Sequence, residues 1–127
     1  MLGGAELVAF IPSRDLERSR QFYVDVLGLG FSSQDSFALA LDAHGTTVRV
    51  TDISSVEGYT AAPFTILGWR VENIEETVRS LTERGVMFQR YHGMRQDEHA
   101  IWNSPSGARV AWFHDPDGNT LSIGENL

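Results

Sequence analysis

The chain repeats itself once, and the spacing of the repeat limits what it can fold into. Near the start it reads Asp15-Leu16-Glu17-Arg18, then the apolar positions Phe22, Tyr23, Val26 and Leu27, then Gly28-Leu29-Gly30-Phe31. Past the middle it reads Asn73-Ile74-Glu75-Glu76, then Val78 and Leu81, then Gly85-Val86-Met87-Phe88. Each copy is a capped amphipathic helix, a glycine stop and an apolar run entering a strand. Asp15 and Asn73 are 58 positions apart, Phe31 and Phe88 57. A chain of 127 residues has room for two such copies. A solenoid needs more repeats than that to bury a continuous core. The repeat therefore predicts a pseudo-symmetric pair of modules, 5–56 and 64–125, forming one domain over 1–127.

Within the first module, Glu6 to Ile11 is a short apolar run stopped by Pro12, which reads as a strand. Asp15 caps a helix to Leu27. Strands are expected at Phe31 to Ser33, Phe37 to Leu41 and Thr46 to Ile53. Polar and apolar residues alternate in Thr47-Val48-Arg49-Val50-Thr51, so one face of that strand packs and the other is polar or lines a space. A linker, Glu57 to Pro63, leads to the second module. There Phe64 to Val71 is a strand, and Asn73 with Glu76 forms a capping box for a helix to Arg84. Strands are expected at Phe88 to His92, Ile101-Trp102, Ala108 to His114 and Asn119 to Glu125. Asp115-Pro116-Asp117-Gly118 is a tight turn. The order is β-α-β-β-β, twice, in an α+β chain.

Composition narrows the functional classes. There is no cysteine, hence no disulfide, thiol nucleophile or thiolate metal ligand, which suits a cytoplasmic location. Met1-Leu2-Gly3-Gly4 is followed by Glu6 without a basic start or an apolar core, so no signal peptide is expected. No apolar run approaches the ~18 residues of a membrane span. A net charge of −7 argues against a nucleic-acid partner.

Three runs, DLERSRQFYVDVLGLGF (Asp15 to Phe31), VENIEETVRSLTERGVMF (Val71 to Phe88) and FHDPDGNTLSI (Phe113 to Ile123), give the chain its resemblance to the vicinal oxygen chelate superfamily. That group contains glyoxalases, bleomycin-resistance proteins and extradiol dioxygenases. The resemblance implies two βαβββ modules whose curled mixed sheets surround a central cavity, and a homodimer. It does not imply one activity, because the fold hosts lyases, isomerases, dioxygenases and drug-sequestering proteins.

Enzymes of this family hold a divalent metal through His, Gln or Glu on the first and last strands of the modules. Carried onto this chain, those positions fall on Val8, Ile66 and Ser122, with Arg49 or Thr51 where an acid would sit. Valine and isoleucine cannot ligate a metal, and arginine would repel one. No metal and no cofactor is therefore expected. Glu6 lies two positions from Val8, but no partner ligands come with it.

Each remaining candidate has a functional and an ordinary reading. Glu6 is a cavity base or an ion-pair partner of Arg49. Arg49 is a carboxylate or phosphate clamp or half of a structural pair. Phe10, Trp102 and Trp112 are stacking platforms or core. His92 and His99 flank a glycine-containing loop that can lie over a cavity mouth; the ordinary reading for both, as for His44 and His114, is polar surface. Trp69 is core. Turn chemistry accounts for Asp115 and Asp117, and complementing a helix N-terminus accounts for Glu72, Glu75 and Glu76. The expected ligand-binding set is Glu6, Val8, Phe10, Arg49, His92, His99, Trp102 and Ser122. Two functions fit: a metal-free module binding a small organic molecule between modules or at a dimer interface, or a metal-dependent lyase, isomerase or dioxygenase using Glu6, His92 or His99 as atypical ligands.

Overall fold

Both predicted helix caps are made. The Asp15 carboxylate accepts from the Arg18 amide at 3.1 Å, and the Asn73 side-chain oxygen accepts from the Glu76 amide at 3.1 Å. Each cap thus satisfies one of the amides that a helix leaves unpaired in its first turn. The computed structural model describes residues 1–127 and separates them into two units, Met1–Thr60 and Ala61–Leu127.

The first unit contains β1 (Val8–Ser13), α1 (Leu16–Arg20), β2 (Gly30–Gln34), β3 (Ala38–Ala43) and β4 (Thr46–Asp52). Its four strands form a mixed sheet in the order β1-β4-β3-β2, with β1 parallel to β4 and the other pairs antiparallel. Ile11, Leu39, Leu41, Val48 and Val50 are buried with Tyr23. Ser13 and Ser19 are buried as well and hydrogen-bond each other at 2.6 Å, so the contact between strand and helix leaves neither hydroxyl unpaired.

The repeat predicts one regular helix from Asp15 to Leu27. Instead α1 widens into a π-helical turn over Gln21–Val26, where the Leu27 amide donates to the Phe22 carbonyl at 2.9 Å. A π turn accommodates an extra residue and rotates the side chains beyond it about the helix axis. Of the expected apolar stripe, Tyr23 is fully buried, while Leu16, Phe22, Val26 and Leu27 are only partly covered. Gly28 then ends the helix at φ +84°, a conformation glycine adopts at little cost.

The second unit contains β5 (Thr65–Arg70), α2 (Ile74–Glu83), β6 (Trp102–Asn103), β7 (Arg109–His114) and β8 (Thr120–Glu125). Its sheet runs β5-β8-β7-β6, again with one parallel pair, β5 with β8. Ile74 and Val78 of α2 are buried with Ala111, Phe113, Leu121 and Ile123. Trp69 stacks on buried Phe113 with ring centroids 6.4 Å apart but is itself only half-buried, at the margin of the core where it was expected. Neither helix is long and apolar enough to cross a membrane.

The expected strand Phe88 to His92 does not form. Only Phe88 bridges to Phe113, with the Gln89 amide on the Trp112 carbonyl at 2.8 Å. Beyond that point the amide side chain of Gln96 captures the backbone. It accepts from the Tyr91 amide at 2.8 Å and donates to the Gln89 and Ala100 carbonyls, both at 2.9 Å. A side chain that takes these backbone groups removes them from a ladder.

Asn73→Ala should destabilise the protein by about 1 kcal/mol through loss of its cap, read as a lower urea midpoint at unchanged slope. Gln96→Ala should cost about 2 kcal/mol, since three hydrogen bonds, two of them part-buried, go at once. Amide exchange at Tyr91 should accelerate in that variant.

Candidate functional site

The helix covers one face of each sheet, and the opposite faces carry the candidate residues. On the first sheet, register places Phe10, Arg49 and Ala40 side by side across β1, β4 and β3, with Val8 beside Thr47. Phe10 is 64% exposed and Val8 42%. Arg49 is half-buried and makes no ion pair. The amides of Phe37 and Ala38 hold the Asp35 carboxyl below the usual range, with a smaller contribution from the Arg49 charge. Glu6 precedes the first residue of β1 and is exposed, so the anticipated Glu6–Arg49 pair is not formed. Leu7 also precedes β1 and is 74% exposed.

The second sheet presents aromatic rings in the same place. Trp112 pairs in register with Ser122, and Ser122 with Gly68. The backbones approach closely here: a Cβ at position 68 would lie 2.7 Å from the Ser122 Oγ, so a larger residue would require that side chain to turn. Trp112 is fixed by its indole N–H, which donates to the Thr65 Oγ1 at 3.1 Å. The Trp102 ring lies 6.0 Å from that of Trp112, tilted by 40°. Tyr91 meets Trp112 edge to face at 5.6 Å, and burial pushes its hydroxyl pKa up. Beside Tyr91 and Trp112 is a cleft of about 320 Å³, lined also by Pro63, Phe64, Thr65, Met94 and Thr120, while Trp102 lies outside the lining.

The expected histidines do not join this cleft. His99 lines a separate groove of about 370 Å³ beside α2, with Val78, Thr82, Phe88, Arg90 and Glu98. His92 is exposed and lines neither cavity. Of the residues singled out from sequence, Trp102, Trp112 and Ser122 share the open face of the second sheet, while Val8, Phe10 and Arg49 share that of the first. Tyr91, Phe64 and Met94 were not singled out as candidates: the first two fall in expected strands and the third in the loop between His92 and His99. They come from irregular segments at the sheet margin, where no period marks a side chain's direction.

Arg109 was not singled out either. From β7 it reaches Glu75 near the start of α2 and Glu125 at 3.5 Å, while the second Glu125 oxygen accepts from the Ile74 amide at 2.8 Å. Its hydrogen bond to Arg109 holds the Glu75 carboxyl below the ordinary range. Glu75 therefore does more than complement the helix N-terminus: it ties α2 to the sheet.

The metal positions carried over from the family do not fit a divalent ion. Val8, Ile66 and Ser122 present two hydrocarbons and a hydroxyl, and Arg49 adds a cation. No three His, Asp or Glu side chains stand together as a ligand group within the chain.

The family model described as glyoxalase/bleomycin resistance protein/dioxygenase superfamily matches residues 7–123. The chain belongs to that superfamily. It is 30% identical over 122 residues to the uncharacterized protein YraH of Bacillus subtilis (strain 168), covering 86% of this chain and 88% of YraH. Among solved structures, a superfamily member from Sphaerobacter thermophilus DSM 20745 superposes with a TM-score of 0.76 at 25% identity, over 99% of this chain and 100% of that one. TnmS3, an antibiotic binding protein from Streptomyces sp. CB03234, superposes with a TM-score of 0.72 at 22% identity, over 98% of both chains. The likeness to TnmS3 shows a shared fold.

Proposed function

We propose that this superfamily member binds a small, flat organic molecule, that the aromatic cleft of the second sheet is its anchor, and that no metal takes part. The observation carrying this reading is the cleft itself. At about 320 Å³ it has the size of a small-ligand site. Its walls are aromatic, and the Trp112 ring is already held by Thr65 and meets Tyr91 edge to face, which lowers the ordering cost that falls on binding. A fold shared with an antibiotic binding protein supports the same view. The working form is a cytoplasmic homodimer; exposed Val8 and Phe10 on the first sheet are apolar surface that a second copy would cover. Sedimentation at micromolar concentration checks this, a monomeric mass refuting it.

The test of binding is a fluorescence titration with planar aromatic compounds. Two of the three tryptophans, Trp102 and Trp112, sit on the open face, while Trp69 packs against Phe113. A ligand should quench Trp112, which lines the cleft, act equally after dialysis against a chelator, and lose its effect in Trp112→Leu. Stoichiometric Fe, Zn, Mn or Ni in the purified protein, with binding lost on chelation, would establish the metal-dependent enzyme in its place.

A further inference from the structure

We infer that the aromatic cleft selects a lipophilic cation, an organic molecule bearing a quaternary or fully substituted ammonium group, over a neutral molecule of the same shape. The inference rests on the reading of the cleft as a ligand site and adds the chemical class. None of its lining residues carries a charge at neutral pH: three are aromatic, one is a thioether, two are threonines and one is proline. Arg95, next to Met94, is exposed and outside the lining.

Two of the three hydroxyls at the wall are already engaged, and the third, that of Tyr91, is neutral. The Thr65 hydroxyl accepts from the indole of Trp112, and the Thr120 hydroxyl donates to the Ala62 carbonyl at 3.4 Å. An anion entering the cleft would lose its water and find no cationic side chain in the lining, which is costly. A cation would meet ring faces instead. Tyr91 and Trp112 stand at 85° to each other, forming two walls of a corner, with Phe64 at the rim and Trp102 tilted behind. Ring faces carry the negative part of the aromatic quadrupole and attract ammonium groups within about 6 Å. A methylated ammonium suits such walls better than a protonated amine, because no N–H donor is left unpaired. The net charge of −7 raises the local concentration of any cation, whatever its shape.

The probes are phenyltrimethylammonium and tert-butylbenzene, which share one shape and differ in one charge. Affinities are read by tryptophan fluorescence and by chemical-shift changes in the intact chain at low salt and at about 0.5 M salt. The cation should bind about tenfold more tightly than the hydrocarbon, as expected for two or three ring contacts. The preference should survive high salt and shrink to under about twofold in Trp112→Leu. Phe64→Leu alters an exposed rim residue and leaves the Trp112 hydrogen bond in place, so it covers the case in which Trp112→Leu fails to fold; it should lower the preference by about threefold. Equal or tighter binding of tert-butylbenzene, lost in Trp112→Leu, would overturn cation selection while leaving the cleft a ligand site. A preference that disappears at high salt, or persists in both variants, would assign it to bulk charge and likewise overturn the inference. Failure of both probes to bind would overturn the inference and count against the ligand site itself.

Discussion

Phe113→Ala should lower the unfolding free energy by about 4 kcal/mol, the range for emptying a well-packed aromatic site. Phe113 is 1% exposed. One neighbouring ring, Trp69, stacks on it, and another, Phe88, meets it at 5.5 Å and 62°. The cavity would therefore open beneath α2 with rings on two sides that cannot collapse into it without leaving their rotamers. Thermal denaturation should show Tm falling by more than about 10 °C. Phe113→Leu, which keeps much of the volume, should lose less than half as much. Equal losses for the two would mean that the ring contacts contribute little beyond the burial of a leucine-sized group.

The second large effect lies two residues further on. Asp115→Ala should cost about 3 kcal/mol, because it removes an acceptor with three donors upon it. One carboxylate oxygen takes the amides of Asp117 and Asn119, both at 2.9 Å; the other takes the Asn119 side chain at 2.8 Å. Asn119 is fully buried, so its amide cannot turn to water. The Asp115–Gly118 turn sets the pairing of β7 with β8, including His114 opposite Thr120. Asp115→Asn retains one acceptor oxygen and should fall between wild type and alanine in a guanidinium denaturation series. Should Asp115→Ala match wild type, water must reach this turn freely.

These two sites differ in how plainly the sequence announces them. The run Asp115-Pro116-Asp117-Gly118 declares its turn locally, as Asp15 and Asn73 declare their helices, because each signal needs only the next three or four residues. The alternation Thr47 to Thr51 likewise predicts Val48 and Val50 buried and Arg49 turned away, and the structure shows Val48 at 1% and Val50 at 0% exposure. The segment after Phe88 misleads for a physical reason: its apolar start suits a strand, but Gln96 offers the backbone other partners, and that competition is invisible in composition. Arg109 finds Glu75 and Glu125 only after the sheet has formed. At the open face, Trp102 and Trp112 stand out as large residues at strand positions. Their companions Tyr91, Phe64 and Met94 reach the cleft from loops, and only the folded chain reveals them. The widened turn after Arg20 has no local marker either.

The parallel pairs bear on how the chain is made. In each unit the first strand lies beside the last: Val8 is opposite Thr47, and Thr65 is opposite Thr120. Neither β1 nor β5 can find its neighbour until nearly the whole unit has left the ribosome, an interval of seconds at about 5–20 residues per second. The intervening hairpins can zip up on their own meanwhile, since antiparallel neighbours are close along the chain. Nascent β1, with Phe10 and Ile11 uncovered, is thus the segment most in need of protection during synthesis. Slowing translation just before Thr46 would lengthen that vulnerable window, as slowing before Thr120 would lengthen the one for β5, and a chaperone holding the nascent chain would find its target there.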